Sequence, residues 1–281
     1  MKHLAVLGVS AALACGGSPR TVAPPAPTPG APTPTATPVT PEARIQYRVI
    51  APLRYEILRF DSLMFVGTGS GAPQVTVRRI AVTLRPDGSR LVLTVDSVAP
   101  IQGARLAASS VDSAREARWE VRLSPSGPNG TVRANRSSVL IGQIGAALRL
   151  LFPQLPSNGV RAADSWQDSA EYPVQLDAFL ATEAADRSSR AERGALQGSV
   201  RIEVTERLSR KGKATQGGRE MTVKGTGGRQ VTYEFSPEGW VTMLRARDSL
   251  DLQVAVPDSP DPIPVRQRST VTARLRGTSP G

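Results

Sequence analysis

Twice along this chain, apolar side chains alternate with polar ones for a full strand length on both sides of a proline–acid–glycine triplet. Ile80, Val82 and Leu84 alternate with Ala81, Thr83 and Arg85 before Pro86-Asp87-Gly88, and Leu91, Leu93 and Val95 resume against Val92, Thr94 and Asp96. Val231, Tyr233 and Phe235 likewise run into Pro237-Glu238-Gly239, followed by Trp240, Thr242, Leu244 and Ala246 against Val241, Met243, Arg245 and Arg247. A period of two puts one set of side chains on each face of a strand, and such a triplet supplies a fixed φ and a positive-φ position for the turn. Further strands are predicted at Leu250, Leu252, Val254 and Val256, and from Val265 to Arg276. Weaker ones are predicted over 44–50, 55–60, 119–123, 131–135 and 199–208. Gly225-Thr226-Gly227-Gly228 reads as a hairpin turn, and the stretch holding Lys211 and Lys213 as an exposed loop.

One helix interrupts this pattern around 138–152. Ser137 or Ser138 caps it, Ile141, Ile144, Leu148 and Leu151 form one stripe, and Pro153 ends it. Gly142 and Gly145 weaken it or let it pack closely on a sheet. A second helix is predicted over 176–193, where the chain is rich in alanine and charge. The fold class expected is therefore mainly β: a large curved antiparallel sheet or half-barrel with one or two inserted helices.

The first 42 residues differ from the rest. Lys2 precedes an uncharged run from Leu4 to Ala14, whose 11 residues fall short of the ~20 that a membrane-spanning helix needs. It ends Ala12-Leu13-Ala14-Cys15-Gly16, which has two readings. Ala-x-Ala marks an ordinary secretory cleavage site, whereas small residues before a cysteine mark the acylation site of a lipoprotein. Cys15 is the one cysteine in the chain, and a free terminal thiol is a liability in an oxidising compartment, which favours lipidation. Residues 15–42 are then the lipidated cysteine and a Pro/Thr-rich tether. Nine of the 23 residues from Pro19 to Pro41 are proline, so this stretch is expected to be extended or disordered. Residues 43–281 are expected to form a single domain.

The sole histidine, His3, also lies at the extreme N-terminus, so the body has neither residue. Ser-His-Asp triads, Cys-His dyads, disulfides and zinc sites with N/S ligands are excluded there. The carboxylate pairs Asp164/Asp168, Glu116/Glu120 and Glu183/Asp186 sit in polar runs with no aromatic cluster to stack a sugar, and read as solvated surface acids. No catalytic residue, metal site or cofactor is expected, and a carboxylate-based hydrolase is a remote alternative. Arginine supplies 31 of the 35 basic residues in a chain of net charge +11. Arg266, Arg268, Arg274 and Arg276 share parity on the last predicted strand, so they project from one sheet face, a candidate anion-binding surface for lipid headgroups or an acidic polymer. The alternative is a plain solvated face. Export and an aromatic content of 4% argue against nucleic acid.

The segment Leu151-Phe152-Pro153-Gln154-Leu155-Pro156, with Val160 and then Ala163-Asp164-Ser165-Trp166, resembles a motif of uncharacterised bacterial envelope lipoproteins. There a valine is followed by Gly-Asp-Ser/Thr-Trp, and Ala163 stands at the glycine. The layout is also similar to lipoprotein-carrier (LolA/LolB-like) folds, in which a curved sheet wraps an apolar cavity closed by helices. The resemblance implies an envelope protein, lipid-anchored and held at the outer membrane, that binds an apolar or amphipathic ligand, with Ile141, Ile144, Leu148 and Leu151 as candidate cavity residues. The alternative is a structural or protein-interaction lipoprotein whose core is filled. Gly16 in place of an acid after Cys15 resembles the outer-membrane case. Replacing Cys15→Ser is expected to abolish acyl labelling and release the protein from the membrane fraction. Unchanged labelling and fractionation would refute lipidation.

Overall fold

A computed structural model describes residues 44–278, except 50, 68–70, 89, 104, 177–178, 217–218 and 258. The expectations for residues 1–43, the signal, Cys15 and the tether, lie outside the described residues. Among the described residues, eleven strands and two helices follow one another. They are β1 (Leu53–Phe65), β2 (Gln74–Asp87), β3 (Arg90–Gln102), α1 (Ala108–Glu116), β4 (Arg118–Ser124), β5 (Gly127–Ala134) and α2 (Val139–Leu150), then β6 (Ser165–Leu176), β7 (Phe179–Arg193), β8 (Val200–Gln216), β9 (Arg219–Phe235), β10 (Val241–Ala255) and β11 (Ile263–Thr278). All the strands join one curved antiparallel sheet, in the order β5-β4-β3-β2-β1-β11-β10-β9-β8-β7-β6. The sheet is not closed. Its outermost strands, β5 and β6, are the two that α2 joins in sequence, and α2 packs against both.

Alternation does most of the work. On β10, Leu244, Ala246, Leu250 and Leu252 are buried while Arg245, Arg247, Ser249 and Asp251 face out. On β11, Val265, Val271 and Ala273 are buried, and Arg268, Arg274 and Arg276 are exposed. The main core fills the concave side. α2 lays Leu140, Ile141, Ile144, Ala147 and Leu148 onto it, above Trp119 and among Ile57, Ile80, Leu93 and Phe235. Ser138 caps the helix, its Oγ accepting from the Ile141 N–H at 3.2 Å. Gly145 permits the close approach: a Cβ there would stand 3.1 Å from Nε1 of Trp119.

Four local expectations are corrected. Residues 179–193 form strand β7, where a helix was expected. Ala181, Ala185, Ser189 and Ala191 are buried there at alternate positions, so the alanines are small inward residues on a strand paired on both sides, and tertiary pairing overrides their helix propensity. The second helix is α1, which buries only Ala114 and has no side-chain cap, so it left little trace in the pattern. Of the strand expected over 44–50, the described residues keep an isolated bridge between Ile45 and Val160. Lys211 and Lys213 lie within β8.

The glycines at 225–228 lie inside β9 and make no turn. A Cβ on Gly227 would stand 2.0 Å from the Ser249 carbonyl oxygen of the neighbouring strand, while one on Gly228 would meet only the Glu206 carbonyl oxygen, at 3.4 Å. Gly227→Ala is therefore expected to lower stability by roughly 2–4 kcal/mol, since two paired backbones must move apart. Gly228→Ala should change it by less than about 1 kcal/mol. Urea unfolding of the two variants side by side checks this, and equal midpoints would show that the close approach is absent.

Candidate functional site

Along the middle of the long strands, the inward-facing positions stop being apolar. β8 presents Ile202 and Val204, then Glu206, then Leu208 and Arg210. β9 presents Val223, then Arg229, then Val231 and Tyr233, and β10 sets Asp248 between Ala246 and Leu250. Ser269 of β11 and Asp61 of β1 continue this row on one side and Arg187 of β7 and Asp168 of β6 on the other, while Gln267 stands one inward position further along its strand and Glu183 and Arg210 two. A belt of charge therefore crosses the concave face and separates the main core from a second apolar cluster of Ala185, Leu208, Val223, Leu250, Leu252 and Val265.

Arg229 is the hub of the belt. Its guanidinium donates to Glu183 at 2.9 Å, Glu206 at 2.8 Å, Asp248 at 3.3 Å and the Tyr172 hydroxyl at 2.9 Å. Glu183 is wholly buried and is held from the other side by Arg210, which also donates to Gln267 at 2.8 Å. Tyr172 donates its hydroxyl proton to Glu183 at 2.8 Å. Above it, the Arg149 guanidinium of α2 lies 4.8 Å from the Tyr172 ring centre and donates to the Pro173 carbonyl at 2.8 Å. Asp168 is gripped by Arg187 through two bonds of 2.7 and 2.9 Å, and Asp61 by Arg59 at 2.7 Å.

The electrostatics divide the two buried glutamates. Burial opposes ionisation of Glu183, but the Arg229 and Arg210 guanidiniums and their hydrogen bonds outweigh it and hold the carboxyl at about 2. At Glu206 burial prevails over Arg229 and Arg187, and the carboxyl is raised above its ordinary value. Burial likewise lowers Arg149, and it raises Tyr172, which stays protonated and remains a donor.

Between the C-terminal half of α2 and this belt lies a cavity of about 380 Å³. Val132 of β5, Leu150 of α2, Phe152 beyond it, Val174 of β6 and Val271 of β11 form apolar walls. Arg149, Tyr172, Arg187, Glu206 and Arg229 supply the polar ones.

The sequence candidates fall elsewhere. Ile141, Ile144, Leu148 and Leu151 are all buried, at most 2% exposed, within the packed core, and none of them lines the cavity. α2 instead meets it with Ala146, Arg149 and Leu150. Arg266, Arg268, Arg274 and Arg276 do share the convex face, where Arg266 pairs with Asp251 at 3.0 Å and Arg276 with Glu56 at 2.7 Å. The reading of Glu183/Asp186 as solvated acids is corrected for Glu183, because the two residues point to opposite faces of β7 and only Asp186 is exposed. Glu116 and Glu120 are solvated, each beside an exposed arginine. Asp164 accepts from the Arg161 N–H and pairs with Arg44, and Ala163 before it holds φ at 71°, a conformation that favours glycine.

No protein-family model matches the chain, and no curated protein matches it at a significant level. The site therefore stands on its geometry. Sequence reasoning missed Tyr172, Glu183, Glu206, Arg210 and Arg229. A signal was present in Glu206 and Asp248, which carry charge at positions whose parity is otherwise that of the core.

Glu183→Gln would leave Arg210 and Arg229 buried with too little negative charge and is expected to cost about 3–5 kcal/mol. Glu206→Gln should cost less than about 1 kcal/mol, because burial already penalises that charge. With the Glu183 carboxyl depressed to about 2, its stabilisation is present above the ordinary value of 4.5 and is lost as pH falls from there towards 2. Chemical denaturation across that range checks both statements. Equal losses for the two variants, or an acid limb unchanged in Glu183→Gln, would contradict them.

Proposed function

We propose that this protein is a non-catalytic envelope lipoprotein, acylated at Cys15, which binds an amphipathic ligand in the cavity between α2 and the charged belt. The observation that carries this reading is the two-sided lining of that cavity, with Val132, Leu150, Val174 and Val271 offering apolar contact and Arg149, Tyr172 and Arg229 offering donors. A wholly apolar ligand fits poorly, because the belt would then lose its solvation without compensation. A polar head on the belt and a short apolar tail against the walls satisfies both sides. Volume sets the scale, since about 380 Å³ suits one small amphiphile or part of a larger one.

The open curved sheet with a helix laid across it supports the same reading, in the way the carrier-like architecture implies. Non-catalytic action is favoured by the state of the acids. Glu183 is locked by three partners, and Asp168 and Asp248 are each tied to an arginine; Glu206, whose carboxyl burial raises, is the acid of this lining that a carboxylate-based hydrolase would use, and it too is bound by Arg229. A second reading, a scaffold with a filled interior, draws on the tight packing of Ile141, Ile144, Leu148 and Leu151.

The two readings part on ligand content. The purified chain is expected to release a bound amphiphile detectable by mass spectrometry and to enhance the emission of a fluorescent fatty-acid probe. Val174→Trp, which places an indole in the cavity, should cut probe binding by about tenfold or more while leaving the fold intact. A chain that carries no lipid and moves no probe would leave the scaffold reading in its place.

A further inference from the structure

The convex side of the sheet carries a second pattern, independent of the cavity. In one row across four strands, Arg79 of β2, Leu58 of β1, Thr272 of β11 and Arg245 of β10 stand side by side. The next outward row is Val77, Phe60, Thr270 and Arg247, and the one after it is Val75, Ser62, Arg268 and Ser249. β1 and β2 therefore contribute an apolar ribbon of Leu58, Phe60, Val75 and Val77. β10 and β11 contribute a parallel ribbon of arginine, with Arg274 at one end and Arg79 on the far flank. Leu58 is 42% exposed, although it is a large aliphatic side chain on a strand paired on both sides.

The arginines of this patch are short of counter-charge. Arg79, Arg245, Arg247, Arg268 and Arg274 are exposed, and none forms an ion pair among the described residues. Glu56, whose field reaches Arg79 and Arg274, is already bound to Arg276, and Asp251 is bound to Arg266. The concave face differs, because there Arg59, Arg187, Arg210 and Arg229 each hold a carboxylate. The positive excess of the chain is thus displayed on the convex side. With strands ~4.8 Å apart and outward residues ~6.8 Å apart along each, the patch spans roughly 15 Å in both directions.

We propose that this convex patch is a docking surface for an anionic phospholipid bilayer. Guanidinium groups bind phosphate with fixed geometry and are only weakly hydrated, and Leu58 and Phe60 beside them are placed to enter the region between headgroups and acyl chains. A free anion would use the arginines and gain nothing from the apolar ribbon. A protein partner would have to bring an acidic half and an apolar half in matching order. A bilayer surface offers both at every position. The body would then lie against the membrane by its convex side, a contact separate from the acyl anchor and undone by salt, so release of a Cys15→Ser chain from membranes is read after a high-salt wash.

The test is sedimentation of the full chain with vesicles, every chain compared carrying Cys15→Ser so that no acyl anchor contributes. Binding is expected to vesicles of phosphatidylcholine and phosphatidylglycerol in equal parts, to be absent with phosphatidylcholine alone, and to be reversed by salt. The quadruple variant Arg245→Gln, Arg247→Gln, Arg268→Gln, Arg274→Gln should bind at least about a hundredfold more weakly, each surface arginine contributing about fivefold. Leu58→Ser with Phe60→Ser should be released at lower salt than the parent. Val174→Trp should bind vesicles like the parent, which separates this surface from the cavity. The double variant Arg245→Gln, Arg274→Gln, expected to lose about twentyfold, serves if the quadruple variant melts early. Equal binding by the arginine variants, equal binding to phosphatidylcholine alone, or a concentration-dependent dimer abolished by the same substitutions would overturn the proposal.

Discussion

Arg229 holds three carboxylates and a tyrosine hydroxyl from the middle of the concave face, and the shape of that face depends on it. A guanidinium nearly out of water is tolerable only when its charge and its donors are all met. Glu183, Glu206, Asp248 and Tyr172 come from β7, β8, β10 and β6, so one side chain ties the relative positions of five strands. The cost is that this layer contributes little apolar burial. The gain is register, because a slip of one residue on any of these strands would send its charged partner to the outer face. The two apolar layers on either side supply the driving force for collapse, and the belt selects among the ways those layers could align.

The belt also explains why the cavity lies where it does. Apolar side chains from α2 fill the concave side as far as Ile144 and Leu148, and beyond them the helix turns Arg149 toward Tyr172. Charged side chains anchored in fixed pairs cannot collapse into a void as leucines would, so space remains between the end of the helix and the polar floor. The same arrangement shields the open seam of the sheet. Among the described residues β5 and β6 each leave one edge without a strand partner, and α2 packs against both, in the way that natural sheets cover an edge which would otherwise recruit another chain.

Much of the sheet was legible in the sequence, and most of the site was not. The hairpins at Pro86-Asp87-Gly88 and Pro237-Glu238-Gly239, the cap at Ser138 and the shared face of Arg266 to Arg276 follow from local rules of turn chemistry and parity. β7 did not, because its inward alanines and serine give alternation without hydrophobic contrast. Gly227 did not, because its reason is a backbone on the next strand. Glu183 looked solvated because its immediate neighbours are polar, yet its partners Arg210 and Arg229 lie 27 and 46 residues away. Burial of a charge is set by such distant partners, and periodicity carries no record of them.

One consequence of the strand order concerns the two ends of the described chain. β1 and β11 are neighbours in the middle of the sheet, and Leu53 stands opposite Thr278. The first and last strands are thus joined by hydrogen bonds, while the physical edges belong to residues near the midpoint of the sequence. Covalent order and spatial order are offset by half a circuit. A chain rejoined at 53 and 278 and cut between α2 and β6 would keep every strand pairing of the parent. In that permuted chain the edges of the sheet would become the ends of the polypeptide, and the pairing of β1 with β11 would become one more hairpin of the meander.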